Sequence, residues 1–182
     1  MINVEESVFL FCDIIRKDRF MKFVIQVVEN ASVRVVEEAD GTIPEGGGYV
    51  SGSIGRGFMV LVGISGTDTK AIADKMVEKM RKLRIFEDEN GKTNLDLAAV
   101  GGEVLLVSQF TLYADGKKGN RPSFIHAGLP DMAEPMFNYI ADKCRAAGMS
   151  VQTGVFGSFM KVSLVNDGPF TIVLDSDQMG WS

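Results

Sequence analysis

Val and Ile dominate two short runs, Phe23 to Val28 and Ser32 to Glu37, with Asn30-Ala31 between them, a pattern that predicts a pair of strands. The next stretch, residues 39–52, is rich in glycine and contains Pro44, so it predicts a loop or a flexible hairpin extension. Gly55-Arg56-Gly57 then leads into the apolar run Phe58 to Ile64, a buried strand. Thr67-Asp68-Thr69 supplies N-cap candidates for a helix to about Arg84, with Ile72, Met76, Val77, Met80 and Leu83 on one face. Asn90-Gly91 marks a turn within residues 86–92, and Glu87, Asp88 and Glu89 read as its solvated acids. Val104 to Val107 predicts another buried strand. A second helix, from about Asp131 to Ala147, turns Met136, Tyr139, Ile140 and Cys144 inward and closes at Gly148, a C′ position. Strands follow at Ser150 to Thr153, Lys161 to Val165 and Phe170 to Leu174.

With 182 residues, 46% of them hydrophobic, the chain has enough apolar material for one full core, and one domain is expected. Residues 1–20 mix Phe9-Leu10-Phe11 with charged residues and read as an extension, with Met21-Lys22 an equally good start. No stretch is apolar and long enough for a membrane span, and Glu5 and Glu6 stand where a signal peptide carries positive charge, so the expected location is cytoplasmic, with no membrane partner. Cys12 and Cys144 form no metal-binding spacing and read as free thiols, and no metal or cofactor is expected. The single histidine, His126, leaves little room for histidine-based catalysis and reads as a surface loop residue.

A net charge of −5 argues against holding nucleic acid by broad electrostatics, and no DNA partner is expected. Locally, Lys117, Lys118 and Arg121 gather in a glycine-rich loop and form a compact basic patch. Such a patch suits a few phosphates at one end of a substrate, although short charge runs also occur as plain solvated surface. The loop follows the strand end Ser108-Gln109-Phe110-Thr111-Leu112, where hydroxyls, an amide and backbone donors collect. GSIGRG, residues 52–57, invites a phosphate-loop reading, but it precedes a strand where such a loop precedes a helix. In Asn166-Asp167-Gly168-Pro169-Phe170-Thr171, Pro169 cannot donate to a sheet ladder. It therefore marks a strand end or edge, as an ordinary turn or as a cis bond whose flanking carbonyls point the same way.

The segments Ser108 to Leu112 and Asn166 to Thr171 resemble the two signature motifs of D-aminoacyl-tRNA deacylases, also called D-tyrosyl-tRNA deacylases. The resemblance runs through residues 21–176 almost throughout, including IGRG, LRIFEDENGK, RPSF and FGSFMKVSLVNDGPFT. It implies an α+β fold with antiparallel sheets packed as a barrel-like β/β/α sandwich and helices outside. Residues 21–176 would form a single deacylase domain, with 1–20 as an extension and 177–182 as a tail.

The resemblance also implies a homodimer whose active sites cross the subunit interface. The substrates it implies are D-aminoacyl-tRNA and glycyl-tRNA, and the products are free amino acid and tRNA. Gln109, Phe110 and Thr111 would carry the chemistry, with backbone N–H groups near Gln109 and Phe110 stabilising the oxyanion and the terminal 2′-hydroxyl of the tRNA assisting. Ser108, Phe156 and Met160 would line the substrate pocket, and Gly168-Pro169, in cis and from the other subunit, would exclude L side chains. Lys117, Lys118 and Arg121 would meet tRNA phosphates.

Thr111 as a nucleophile is a rival, but its motif offers no adjacent base. A nucleic-acid-binding protein without deacylase activity is the reading from a different class, and a small-ester hydrolase using Thr111 is a third. This chain departs from the family in three places: Val27 stands where an arginine is usual, residues 39–52 are longer, and residues 1–20 lie outside the pattern.

Overall fold

The alternation that predicts two strands from Phe23 to Glu37 in fact builds one, because no glycine or proline breaks it at Asn30-Ala31 and the backbone stays extended. Strand β1 runs Lys22–Glu37. The computed structural model describes residues 20–117 and 119–181, so the extension over residues 1–19, Cys12 and Lys118 lie outside the described residues. After β1 come β2 (Tyr49–Ile54), β3 (Gly57–Gly63), helix α1 (Lys70–Arg81), β4 (Phe86–Glu87), β5 (Thr93–Leu95), β6 (Glu103–Ser108), helix α2 (Pro130–Ala146), β7 (Ser150–Thr153) and β8 (Phe159–Asp175).

The fold is α+β, with a curled, barrel-like sheet and helices packed outside it, as the resemblance implies. Its main sheet is ordered β2-β1-β3-β6-β7, with β8 on the other side of β1. Strand β1 is antiparallel to β2, β3 and β8, whereas β3, β6 and β7 run parallel. Within the main sheet the expected antiparallel pairing therefore holds around β1 alone, while β4 and β5 form a separate antiparallel pair. The chain reaches β6 and β7 through crossovers containing α1 and α2, and a crossover delivers a strand in the same direction as the one it left. The Ser51 hydroxyl donates to the Thr153 carbonyl at 3.3 Å and draws β2 toward β7, at the far side of the curl.

One strand serves two cores because its register slips. Val28 pairs with Asn166 and Asn30 with Val165, so β1 advances two residues while β8 advances one, a bulge that leaves Glu29 and Asn30 exposed. Before the bulge, Phe23, Ile25 and Val27 pack toward the helices with Ile72, Met76, Met80, Phe137, Ile140 and Cys144. After it, Ala31 and Val33 join Val28, Ile54, Met59, Leu105 and Val107 inside the curl. The Thr69 hydroxyl accepts the Ile72 N–H at 3.3 Å and caps α1, as the sequence predicts, but the helix ends at Arg81 rather than near Arg84. In α2, Ile140 and Cys144 are buried as expected, and burial pushes the Cys144 thiol up to about 12. Met136 and Tyr139 are only half-buried.

Gly57 settles the reading of residues 52–57. It pairs with Glu103 across the parallel β3–β6 ladder, and a Cβ there would sit 1.9 Å from the Glu103 carbonyl oxygen. Gly57 serves close strand approach, and the segment leads into a strand and not into the helix that a phosphate loop requires. Gly57→Ala is expected to destabilise the protein by about 2–4 kcal/mol, the range of overpacking against backbone that cannot move aside. Gly66→Ala, where an added Cβ meets nothing within 4 Å, should change stability by less than about 0.5 kcal/mol. Urea denaturation of the two variants beside wild type checks both.

Candidate active site

The apolar run of β6 carries the chain through the sheet and releases it at Ser108. The next residue, Gln109, stays extended (φ −145°, ψ 88°), and its N–H donates to the Val62 carbonyl at 2.8 Å, which ties the strand end to β3. Phe110–Tyr113 then forms one 3-10 turn. The turn sits against Gly63, where a Cβ would come within 3.2 Å of Leu112 and Tyr113. Among the described residues, neither the Phe110 nor the Thr111 N–H has a backbone partner, as expected for the first donors of a helical turn. The Gln109 side-chain amide donates to the Thr111 hydroxyl at 2.5 Å. Among the described residues, that hydroxyl has no other hydrogen-bond partner.

A cavity of about 660 Å³ opens at this strand end. Ser108, Gln109 and Phe110 line it together with Phe156 and Met160, so the fold brings these five expected site residues together. The sequence reading missed Val62, Phe124, Leu129, Phe159 and Val162, which also line it. Of these, Phe110 is 58% and Phe159 64% exposed, and Phe110 meets Phe124 edge-on with ring centres 5.2 Å apart. A mostly apolar cavity with four phenylalanines and a few polar groups is a typical small-ligand site.

Other expected site residues lie elsewhere on the chain. His126 lines a separate small cavity with Lys22, Leu112, Tyr113, Ala114, Asp115 and Lys117, and neither it nor Thr111 is among the residues that line the larger one. Asp115 and Ser123 exchange backbone hydrogen bonds at 2.8 and 2.9 Å and pinch off the basic loop, leaving Lys117 and Arg121 exposed on it. Among the described residues no group of histidine, cysteine and acidic side chains has the arrangement of a metal site.

Gly168 and Pro169 line no part of the 660 Å³ cavity. The sequence places separate strands at Lys161 to Val165 and Phe170 to Leu174, but the structure joins them in β8. Gln26 pairs with Thr171 and Val28 with Asn166, so four residues of β8 loop out opposite Val27 alone. The Gly168-Pro169 bond is cis, and Gly168 has φ 122°, a conformation that favours glycine. Asn166 closes this outward loop. Its Oδ1 accepts the Phe170 N–H at 3.0 Å, and its Nδ2 donates to the Gln26 side-chain carbonyl at 3.1 Å. Val27, by contrast, is buried among the helix-side core residues and makes no polar contact with the loop.

The sequence profile of the family described as D-Tyr-tRNA(Tyr) deacylase matches residues 24–175, most of the chain. This chain belongs to that family. Proteins named D-aminoacyl-tRNA deacylase agree over nearly their whole length. That of Bifidobacterium adolescentis is 48% identical over 160 residues, 88% of this chain and 99% of the relative. That of Thermomicrobium roseum is 50% identical over 159 residues, 87% and 96% of the two chains. Among solved structures, one described as the c-Myc DNA Unwinding Element Binding Protein has a TM-score of 0.72 at 39% identity, covering 84% of this chain and 97% of its own. A probable eukaryotic D-amino acid tRNA deacylase has a TM-score of 0.68 at 16% identity, covering 86% and 99%, and shares the fold. Membership bears out the family, the fold class and the class of enzyme expected from the two motifs.

The Asn166 contacts yield a measurable expectation for this deacylase-family chain. Asn166→Ala removes two side-chain hydrogen bonds and should cost about 1–3 kcal/mol of stability. Gln26→Ala should cost less, and the double variant should fall short of the sum by about 0.5 kcal/mol or more, because the pair shares one contact. Chemical denaturation of the four proteins measures the coupling. Full additivity would mean that the Gln26–Asn166 bond contributes nothing.

Proposed function

We propose that the chain hydrolyses the ester of D-aminoacyl-tRNA, and of glycyl-tRNA, releasing free amino acid and tRNA as chiral proofreading in the cytoplasm. Family membership supports the reaction class. The observation that carries the mechanism is the free N–H of Phe110 at the polar end of an aromatic cavity that contains no histidine.

An aminoacyl ester is already activated, so catalysis needs a placed water and a home for the developing oxyanion. Water adds to the ester carbonyl, and the bond to the ribose oxygen breaks. A proton reaches the leaving oxygen, with the neighbouring 2′-hydroxyl of the terminal ribose assisting. The sequence reading places oxyanion donors near Gln109 and Phe110. The Gln109 N–H is committed to Val62, which narrows the backbone donors to Phe110 and Thr111. Gln109 then contributes its side chain, which holds the Thr111 hydroxyl as donor and orients it toward substrate. Ser108, Phe156 and Met160 contact the aminoacyl group. Lys117, Lys118 and Arg121 contact phosphates near the acceptor end.

Chiral choice in this reading needs a second subunit, whose Gly168 and Pro169 enter the cavity and clash with an L side chain while glycine passes. The edge of β8 favours a homodimer. It pairs only with β1 among the described residues and exposes Phe159 at 64%, Val165 at 49% and Val173 at 56%. A long, partly apolar edge of this kind is normally covered.

The test is hydrolysis of matched D- and L-tyrosyl-tRNA by wild type, Thr111→Ala, Phe110→Ala and Phe110→Pro. Proline removes the N–H, and the extended Gln109 tolerates it as a successor. Wild type should cleave the D-ester selectively, and Thr111→Ala should keep activity within about tenfold. Phe110→Pro should lose on the order of 10²–10³ beyond Phe110→Ala, the usual effect of deleting one oxyanion donor. Abolition by Thr111→Ala would make the threonine a nucleophile instead.

Arg121→Ala should lower the slope of log affinity against log salt by about 0.7–0.9 for tRNA, as expected for one lost phosphate contact. Salt-sensitive RNA binding with cleavage of neither ester would overturn the enzyme reading and leave a binding protein.

A further inference from the structure

A second polar cluster lies away from the cavity, where β1 begins. Asp68, just ahead of α1, is only 8% exposed. Its Oδ2 accepts the Ser65 N–H at 2.7 Å, but its Oδ1 has no hydrogen-bond partner. The Met21 backbone N–H faces this carboxyl and favours its charged form. Met21 is itself fully buried, and its carbonyl accepts the Ser176 N–H at 3.0 Å. The Ser176 hydroxyl is the other buried side-chain oxygen without a partner among the described residues. Two orphan acceptors thus belong to residues that flank the same backbone position.

Charge deepens the imbalance. Burial is the chief cause that pushes the Asp68 carboxyl up to about 6, and Asp175 raises it further. The nearby ammonium of Lys22 lies 3.7 Å from Asp175, and Asp68 makes no salt bridge among the described residues. The Tyr113 hydroxyl, on the third side, donates to the Phe20 carbonyl at 2.8 Å and is held protonated by burial and by both acids. A buried carboxylate that meets only neutral donors, the Ser65 N–H and hydroxyl and the Met21 N–H, and whose Oδ1 still lacks a hydrogen-bond partner, is a costly arrangement that natural folds rarely keep.

We propose that the missing partner is a primary ammonium at Met21: Asp68 is a built site for the α-amino group of a chain that starts there. An ammonium carries three donors and a full charge where a peptide N–H carries one donor and none. It supplies what Asp68 Oδ1 lacks and offers a donor in the neighbourhood of Ser176. The family match begins at residue 24, and relatives of this family are covered to 99% by 160 aligned residues. Met21 thus lies three residues ahead of the region that the family profile matches. What such a chain gives up is the Tyr113 bond to the Phe20 carbonyl.

The experiment is a four-protein cycle: the full chain and residues 21–182, each with Asp68 and with Asp68→Asn, unfolded in urea from pH 5 to 9.5. In the full chain the folded-state pKa of Asp68 lies above the unfolded value, so its destabilising effect is absent in acid and grows as pH rises through about 6. Asp68→Asn should therefore stabilise the full chain at pH 7. In residues 21–182 the ammonium pulls the carboxyl pKa down and reverses the sign. There Asp68→Asn should shift the unfolding equilibrium at pH 7 at least about tenfold toward the unfolded state, with the gap closing above about pH 8 as the amine deprotonates.

A version with one glycine placed before Met21, which moves the amine away, should behave like the full chain. An equal effect of Asp68→Asn in every background would overturn the proposal, as would failure of residues 21–182 to fold.

Discussion

The structure depends on a single long strand being buried on both sides of a sheet that also has to curl. Strand β1 is flanked along its length by β8 and, on the other edge, by β3 and then β2. A strand of perfect alternation would send residues 23, 25, 27, 31 and 33 to one face, and the sheet would have one core. The bulge at Glu29-Asn30 divides them between the helix-side core and the interior of the curl. Bulges also sharpen twist, so the same extra residue helps turn the sheet on itself. The end of β6, the wall at Phe156 to Val162 and the cavity between them exist because the sheet is curled.

Local signals carried as far as their physics allows. Both helices follow from their apolar spacing and their cap residues, and β3 and β6 from short apolar runs bounded by turn residues. Asn30-Ala31 misled because weak turn formers in a β-rich context do not turn a chain that finds partners on both sides. The parallel direction of β6 and β7 depends on where the crossovers return, which no local pattern encodes. For Gly57, the sequence offered a glycine with no stated purpose, and the reason is a carbonyl from a strand 46 positions onward, at Glu103.

The site was legible in a different way. Composition and spacing gave a strand end with hydroxyls and an amide, which narrows the chemistry only slightly. It was the resemblance of two motifs that pointed to aminoacyl-tRNA, and the family match bears that out. Neither source reveals that the Gln109 N–H is taken by Val62, since that hydrogen bond joins two strands distant in sequence. Nor does either supply Val62, Val162 and Phe159, ordinary strand residues that become cavity wall only after the curl. Asp68 shows the same limit from the other side. In the sequence it reads as one of three N-cap candidates, yet it is Thr69 that caps the helix and Asp68 that turns inward.

Val27 sharpens the relation between the two motifs. An arginine at this position would bring a charge and a fork of donors beside the outward loop of β8, whereas valine brings only apolar surface, directed into the helix-side core. The loop is instead closed from within by Asn166, whose amide joins its own strand at Phe170 to β1 at Gln26. A neutral amide pair is less strongly held than a charge-assisted one, but it leaves no guanidinium to be desolvated if a second subunit covers the loop. With Val27 at this position, the loop is closed by a neutral amide and not by a charged side chain.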